Sequence, residues 1–486
     1  MILEAWRLSA HELGAAYARG ETDPVAVVSA LERRIDRLNP DLNAIIARDP
    51  GALAAARESA TRLRAGAGRS TLEGIPFTVK DNILVAGLAC TWGSRLFQDY
   101  LPADDELPVA RLRGAGAIVL GKTNVPEFTL EGYTTNPLFG TTCNPWDPAL
   151  TPGGSSGGGV AAVAAGFGPF ALGTDGGGSI RRPASHAGLV GLKPSIGRVP
   201  RGPSLPQILL DFEVIGPVAR TVADVKLVYR AIAGPSALDR RSLLSGDPYH
   251  VENRPLKVLY VPRFGDAPVD QEVLASANDA ARVLAALGLE VEKGTLPFDI
   301  LPIVEFWQVL GQVGVAYVLA NHAGKEHLIG ERWRAMAEQG RQVSATRYLA
   351  GIEAVDAFRR SVTGAFNRFD LMMTPSAAAL PWPADQPYPE IIDGKPVGPR
   401  GHAVYTGWVN ACGHPAIALP SAPSRGGLPI GIQLIGRFGA DELLLQIGQR
   451  FEEASPWRER WPTLADRKST RLNSSHIQKS RMPSSA

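Results

Sequence analysis

Apolar residues recur every three to four positions near the N-terminus and in short unbroken or alternating runs further on, and these two periods divide the chain into helices and strands. Ser9-x-x-Glu12 is a capping box, and Asp23-Pro24 sets a cap and an N1 proline before VAVVSALERRIDRL, so residues 1–65 read as helices. GIPFTVK (Gly74–Lys80) is a short apolar strand, and ARLRGAGAIVLGKTN carries a helix end, a glycine turn and a strand at Ala117–Leu120. GVAAVAAGFG predicts a short helix of small residues, followed by a strand at Phe170–Gly173. KVLYV (Lys257–Val261), a helix near Gln271–Leu287 and LEVEKG repeat the strand–helix–strand order, and Ile300–Phe369 reads as mostly helical. DLMMTPS, AIALPSA and IGIQLIG supply late strands before a helix at Asp441–Ala454. This alternation predicts an α/β protein with a mixed, mostly parallel twisted sheet covered by helices on both faces. No period of 20–50 residues repeats and no Pro/Ser linker divides the body, so residues 1–465 are expected to form one domain.

Composition narrows the function classes. The 486 residues are 45% hydrophobic, 20% charged and 7% aromatic, which excludes disorder, collagen and a coiled coil. Lys and Arg number 50 against 48 Asp and Glu, but the excess is not spread over the chain. Residues 466–486 hold five basic residues and only Asp466 as an acid, which leaves 45 basic and 47 acidic residues elsewhere, net −2. That tail lacks periodic apolar positions, and DRKSTRLNSSH (Asp466–His476) resembles the translation of a sequencing adapter, so it is read as a disordered, foreign appendage outside the fold. A near-neutral body offers no argument for a nucleic-acid or membrane partner. The nearest approach to a membrane segment is the uncharged stretch Pro148–Thr174, whose glycines and prolines make a poor span. Cys90, Cys143 and Cys412 are too few and too scattered for a disulfide framework or a zinc site, and MILEAWRLSAHELG has no basic region before an apolar one, so a reduced, cytoplasmic protein is expected.

The chemistry concentrates in TPGGSSGGGVAAVAAGFGPFALGTDGGGSIRRP, Thr151–Pro183. Glycine at this density lets backbone N–H groups turn inward. A phosphate loop would need a Lys-Ser/Thr pair after the last glycine, and neither cluster has one. Gly153–Gly157 matches the G-x-S-x-G elbow of α/β-hydrolases, with Ser155 as nucleophile, but the preceding NPWDPALTP holds three prolines and cannot be a central strand. A glycine-rich connection with solvated serines is the bland reading. The third chemistry is acyl transfer by a serine without histidine, for which the chain offers GGSSGG, a second serine 24 residues later and a lysine at the end of a strand.

These residues resemble the amidase signature family. The likeness extends over GIPFTVKDNI, GAGAIVLGKTNVPEF, NPLFGTTCNPWDPALTPGGSSGG, GTDGGGSIRRPASHAGLVGLKPS, GPVARTVADV and GHPAIALP…GGLPIGIQLIG, and leaves out a mostly helical stretch, 236–368, that is variable in the family. The resemblance implies Ser179 as nucleophile, Ser155 as a bridging serine after a cis peptide bond, and Lys80 as base. It further implies that Ser156 hydrogen-bonds Lys80, that Asp175 and Arg181 pair behind the nucleophile, and that the N–H groups of Gly176, Gly177, Gly178 and Ser179 form the oxyanion hole. A lysine acts as a base only when neutral, and Lys80 follows the apolar run Ile75–Val79, as a buried strand end would. Arg182 departs from the apolar residue common in the family and is expected to face water, the alternative being contact with an acidic substrate. His186, His402 and His414 are not expected to be catalytic, and neither a metal nor a cofactor is expected.

The loop Thr129–Thr135 aligns with the family loop that touches the acyl or leaving group, so Thr129 and Gly154 are candidate substrate contacts and Tyr133 a candidate aromatic wall. The implied substrates are small or aryl amides, esters and carbamates, handled by a monomer or homodimer. The adapter-like tail, taken as a mark of environmental DNA, adds urethanases, which the family contains. Two alternatives stand beside this: a component of a glutamine-dependent amidotransferase, against which Arg182 counts because such proteins carry a glutamine-type residue there, and the α/β-hydrolase-type esterase.

Overall fold

Strands buried on both faces require helices above and below them, and the chain provides both. The computed structural model describes residues 4–244 and 254–466, so the adapter-like tail from residue 467 onward lies outside the described residues. Eleven strands form one sheet: β1 (Ile45–Arg48), β2 (Pro76–Lys80), β3 (Ile118–Thr123), β4 (Phe170–Asp175), β5 (Val190–Lys193), β6 (Val214–Ala219), β7 (Lys257–Tyr260), β8 (Glu290–Lys293), β9 (Leu371–Pro375), β10 (Ala416–Pro420) and β11 (Gly431–Gly436). Their order is β1-β3-β2-β4-β6-β5-β10-β11-β9-β7-β8.

Alternation along single strands shows the two faces. Leu371 and Met373 of β9 join Val258, Tyr260, Ile432 and Leu434 in a cluster closed by helices Val222–Ile232, Gln271–Ala286 and Asp441–Ala454. The intervening Met372, with Leu259 and Ile435, packs on the other side against helices Leu301–Ala320 and Ala345–Ala365. The mixed, helix-covered sheet is the one expected, with one refinement. Parallel pairing holds in two blocks, β3-β2-β4 and β9-β7-β8. The centre from β4 to β9 pairs antiparallel throughout. Residues 421–430 between β10 and β11 are too short for the crossover that parallel neighbours need.

At the N-terminus the capping box forms as expected: the Glu12 N–H donates to the Ser9 hydroxyl at 3.2 Å and the Ser9 N–H to the Glu12 carboxylate at 2.9 Å. Asp23 caps the helix Pro24–Leu42. The region is not all helix, however, because Asn43 at φ 49° ends that helix and frees Ile45–Arg48 to pair antiparallel with β3. Two further strands, β5 and β6, also escape the apolar pattern, being VGLK and VIGPVA. Pro217 is tolerated in β6 because it pairs across to Leu172 of β4 beyond the two-residue register with β5. At Gly216 a Cβ would lie 2.0 Å from the Leu192 carbonyl oxygen, so only glycine allows that backbone approach.

The stretch Pro148–Thr174 holds the buried helix Gly157–Ala164 and most of β4. Among the described residues, the helix long and apolar enough to cross a membrane by composition is instead Leu301–Ala320, half buried against the rest of the chain.

Candidate active site

Adjacent parallel strands β2 and β4 end side by side, on Lys80 and on Thr174-Asp175, and the serine-rich segment crosses above them. Lys80 is fully buried. Its Nζ donates to Ser155 Oγ at 2.8 Å, Thr174 Oγ1 at 2.8 Å and the Thr174 carbonyl at 3.2 Å. Among the described residues no carboxylate touches it. Burial therefore pulls its pKa down to about 7, against the weaker opposing pull of Glu213 and Asp175. Two other lysines at strand positions are equally buried, and they differ in an instructive way. Lys122 stands 3.5 Å from the Asp81 carboxylate, and Lys193, lowered by burial to about 8, donates only to the Pro194 carbonyl.

Ser155 is buried, and the Gly154–Ser155 peptide bond is cis. Ser156 does not bind Lys80, contrary to expectation. Thr174 takes two of the ammonium's three donors and Ser155 the third, so none is left. Ser156 instead donates its hydroxyl to the Thr174 carbonyl at 3.2 Å and its N–H to the Ser179 carbonyl at 3.2 Å. Thr174, which sequence reasoning passed over, is thus the hub of the site. Its hydroxyl also accepts from Asn82 Nδ2 at 3.1 Å, and Asn82 leads on to Glu213, which accepts from Arg201 at 2.8 Å.

Of the three serines, Ser179 alone lines a cavity of about 510 Å³, and its hydroxyl has no hydrogen-bond partner among the described residues. No bond yet joins it to Ser155. The N–H groups of Gly176, Gly177 and Ser179 also lack acceptors among the described residues. Gly178 departs from the expected set. At φ 107° its N–H turns back to Asp175 Oδ1 at 2.7 Å, so it is spent on holding the loop.

Asp175 and Arg181 do pair, at 3.0 Å and fully buried. Burial opposes ionisation of Asp175, but the Arg181 charge and its hydrogen bonds, with those of Asn410, hold the carboxyl far below the usual carboxylate range. Asp175 also accepts from the N–H groups of Ile180 and Arg181. Arg181 reaches onward to the Thr406 carbonyl, Asn410 Oδ1 and Gln433 Oε1.

Arg182 does not face water. It is 5% exposed, lines the cavity, and donates to the Gly177 carbonyl, to Thr406 Oγ1 at 2.9 Å and to the Gly154 carbonyl at 3.4 Å. Burial, then the charge of Arg400, lowers its pKa to about 9. Gly154 lies under the loop rather than on the cavity, with the Tyr133 carbonyl packed where its Cβ would be. Tyr133 is half-buried and off the cavity wall, although the neighbouring Gly132 lines it. Thr129 lines the cavity as expected, while the aromatic walls are Trp307 and Trp333. His402 also lines it, with both ring nitrogens buried and unpartnered, and burial drives its pKa well below the ordinary histidine value. His186 and His414 are buried and lowered to about 4, so they stay neutral. No strand leads into Ser155, as a hydrolase elbow would require.

Three comparisons bear on this geometry. A family model described as Amidase matches residues 26–445. The acylamidase of Rhodococcus erythropolis is 33% identical over 94% of this chain and 97% of its own length, and a glutamyl-tRNA(Gln) amidotransferase subunit of Thermus thermophilus is 36% identical over 92% and 97%. The crystal structure of a bacterial aryl acylamidase of the amidase signature family superposes with a TM-score of 0.86 and 28% identity, over 95% of this chain and 99% of that one. A match over most of the chain, a sheet that superposes end to end and relatives aligned over nearly their full length place the chain in the amidase signature family of amidohydrolases.

Proposed function

We propose that the chain cleaves the C–N bond of small or aryl-bearing amides, and of carbamates, through an acyl-enzyme on Ser179. The observation that carries this reading is the contact between Ser155 and a buried lysine without a carboxylate partner, one strand from a serine open to a cavity. With Lys80 neutral, the contact runs in the opposite sense, Ser155 donating its proton to Nζ. Ser155 then takes the proton of Ser179, whose Oγ attacks the carbonyl carbon. The negative charge passes to the carbonyl oxygen, which the N–H groups of Gly176, Gly177 and Ser179 are free to receive. Collapse breaks the C–N bond, and the proton returns from Lys80 through Ser155 to the departing amine. Water repeats the sequence to free Ser179. With a carbamate the acyl group is an alkoxycarbonyl, released as an alcohol and carbon dioxide.

Ser179→Ala is expected to abolish turnover, and mass spectrometry of the enzyme treated with a phosphonate is expected to place the adduct on Ser179. An adduct on Ser155 would overturn the assignment and favour the esterase-type alternative. Amine release from an aryl carbamate, compared with an acetanilide, tests the substrate range, and no turnover of the carbamate would confine the enzyme to amides. The identity to an amidotransferase component favours a second reading, in which the chain serves glutamine-dependent amidation with partner proteins. Recovery of the chain in a stable complex with a second protein of that kind would support that reading.

A further inference from the structure

A second cavity, of about 270 Å³, adjoins the first and shares Val304, Trp307, Arg400 and Ala403 with it. Its own walls are apolar: Phe264, Ala267, Ile303, Val404 and the carbon face of Trp408 among them. The partition is thin. Trp307 Cζ2 lies 3.0 Å from where a Cβ on Gly177 would project, and Trp307 Cζ3 lies 3.9 Å from the same position on Gly407, which belongs to the side cavity. Arg400 Nη2 stands 3.6 Å from both positions. One indole edge and one guanidinium therefore reach from the loop of Ser179 to the side cavity. Arg400 rests over the Trp307 ring, 5.4 Å from its centre, with no ion pair among the described residues to fix it.

Resting on the proposed amidase reading, we infer that the side cavity receives an apolar arm of the substrate remote from the scissile bond, an aryl ring or an alkyl chain. An apolar cavity of about 150 Å³ holds benzene, so 270 Å³ suits a substituted ring or a chain of about six carbons. Burial of such an arm is a gain in affinity proportional to its apolar area.

Two series of anilides test this, p-nitroanilides lengthened on the acyl chain and acetanilides carrying para-alkyl groups on the amine ring. In one of the two series kcat/KM is expected to rise about four-fold per methylene until the cavity is full. Ala267→Trp fills the side cavity and is expected to flatten that rise, leaving the acetyl substrate within about two-fold of wild type. Val404→Phe, likewise confined to the side cavity, is expected to do the same, and thermal melting confirms that both variants fold. A flat response in both series, or an equal loss for short and long substrates in the filled variants, would overturn the inference. Failure of the wild-type protein to cleave even the acetyl substrate would instead sink the amidase reading itself.

Discussion

Lys80 is distinguished from Lys122 by what it lacks, a carboxylate partner, and its proposed role follows from that. The neutral amine is the competent base, and the folded pKa is about 7, so kcat/KM for an uncharged amide is expected to climb with pH along a limb centred near 7. A pH–rate profile measures this, and an acidic limb centred below 5 would assign it to another group. Arg182 is the second informative residue. Its guanidinium gathers the Gly177 carbonyl, Thr406 and the Gly154 carbonyl, and so sets the attitude of the loop that carries the free N–H groups. Arg182→Met is expected to lower kcat ten-fold or more with a smaller change in KM, as loss of a donor geometry needed only in the transition state would do. Steady-state kinetics on a single anilide decides it. Lys80, Ser155 and Ser179 were legible as candidates in the sequence because motif spacing carries them. The direction of Ser156 and the burial of Arg182 were not, because they depend on Thr174 and Thr406 brought in from elsewhere in the fold, and the spent N–H of Gly178 was not, because it depends on how the loop from Asp175 turns back on itself.

At the level of elements, the apolar runs identified many strands and helices within a residue or two, from Pro76–Lys80 to Asp441–Ala454, while the strand expected at Ala117–Leu120 continues three residues further to Thr123. The pattern failed at β1, β5 and β6. There the strand is short, or is broken by Gly216 and Pro217, and partners on either side supply what local preference does not. Gly216→Ala places a methyl group into the Leu192 carbonyl, and a loss of about 1–3 kcal/mol is expected in denaturant unfolding. Stability unchanged by that substitution would mean that β5 and β6 separate easily. The antiparallel centre of the sheet was equally hidden, since strand order is decided by connection and packing rather than by any one segment.

For the whole molecule, the Asp175–Arg181 pair is the point where distant parts of the chain meet. Breaking one side of a buried ion pair leaves the other charge uncompensated, so Asp175→Asn is expected to cost about 3–5 kcal/mol and to release Gly178 as well. Denaturation midpoints together with residual activity measure both effects, and a stable but inactive variant would separate the loop's role from that of the pair. The layered α/β architecture could be read from the sequence, and this meeting point could not. The partners of Arg181 lie 225 residues away at Thr406, 229 at Asn410 and 252 at Gln433. Synthesis of the chain is vectorial, so the lysine and all three serines leave the ribosome long before the segment that braces them. A nascent chain therefore carries every group of the proposed triad without the contacts that brace them, and hydrolytic activity is expected to arise only once Thr406, Asn410 and Gln433 have joined the fold.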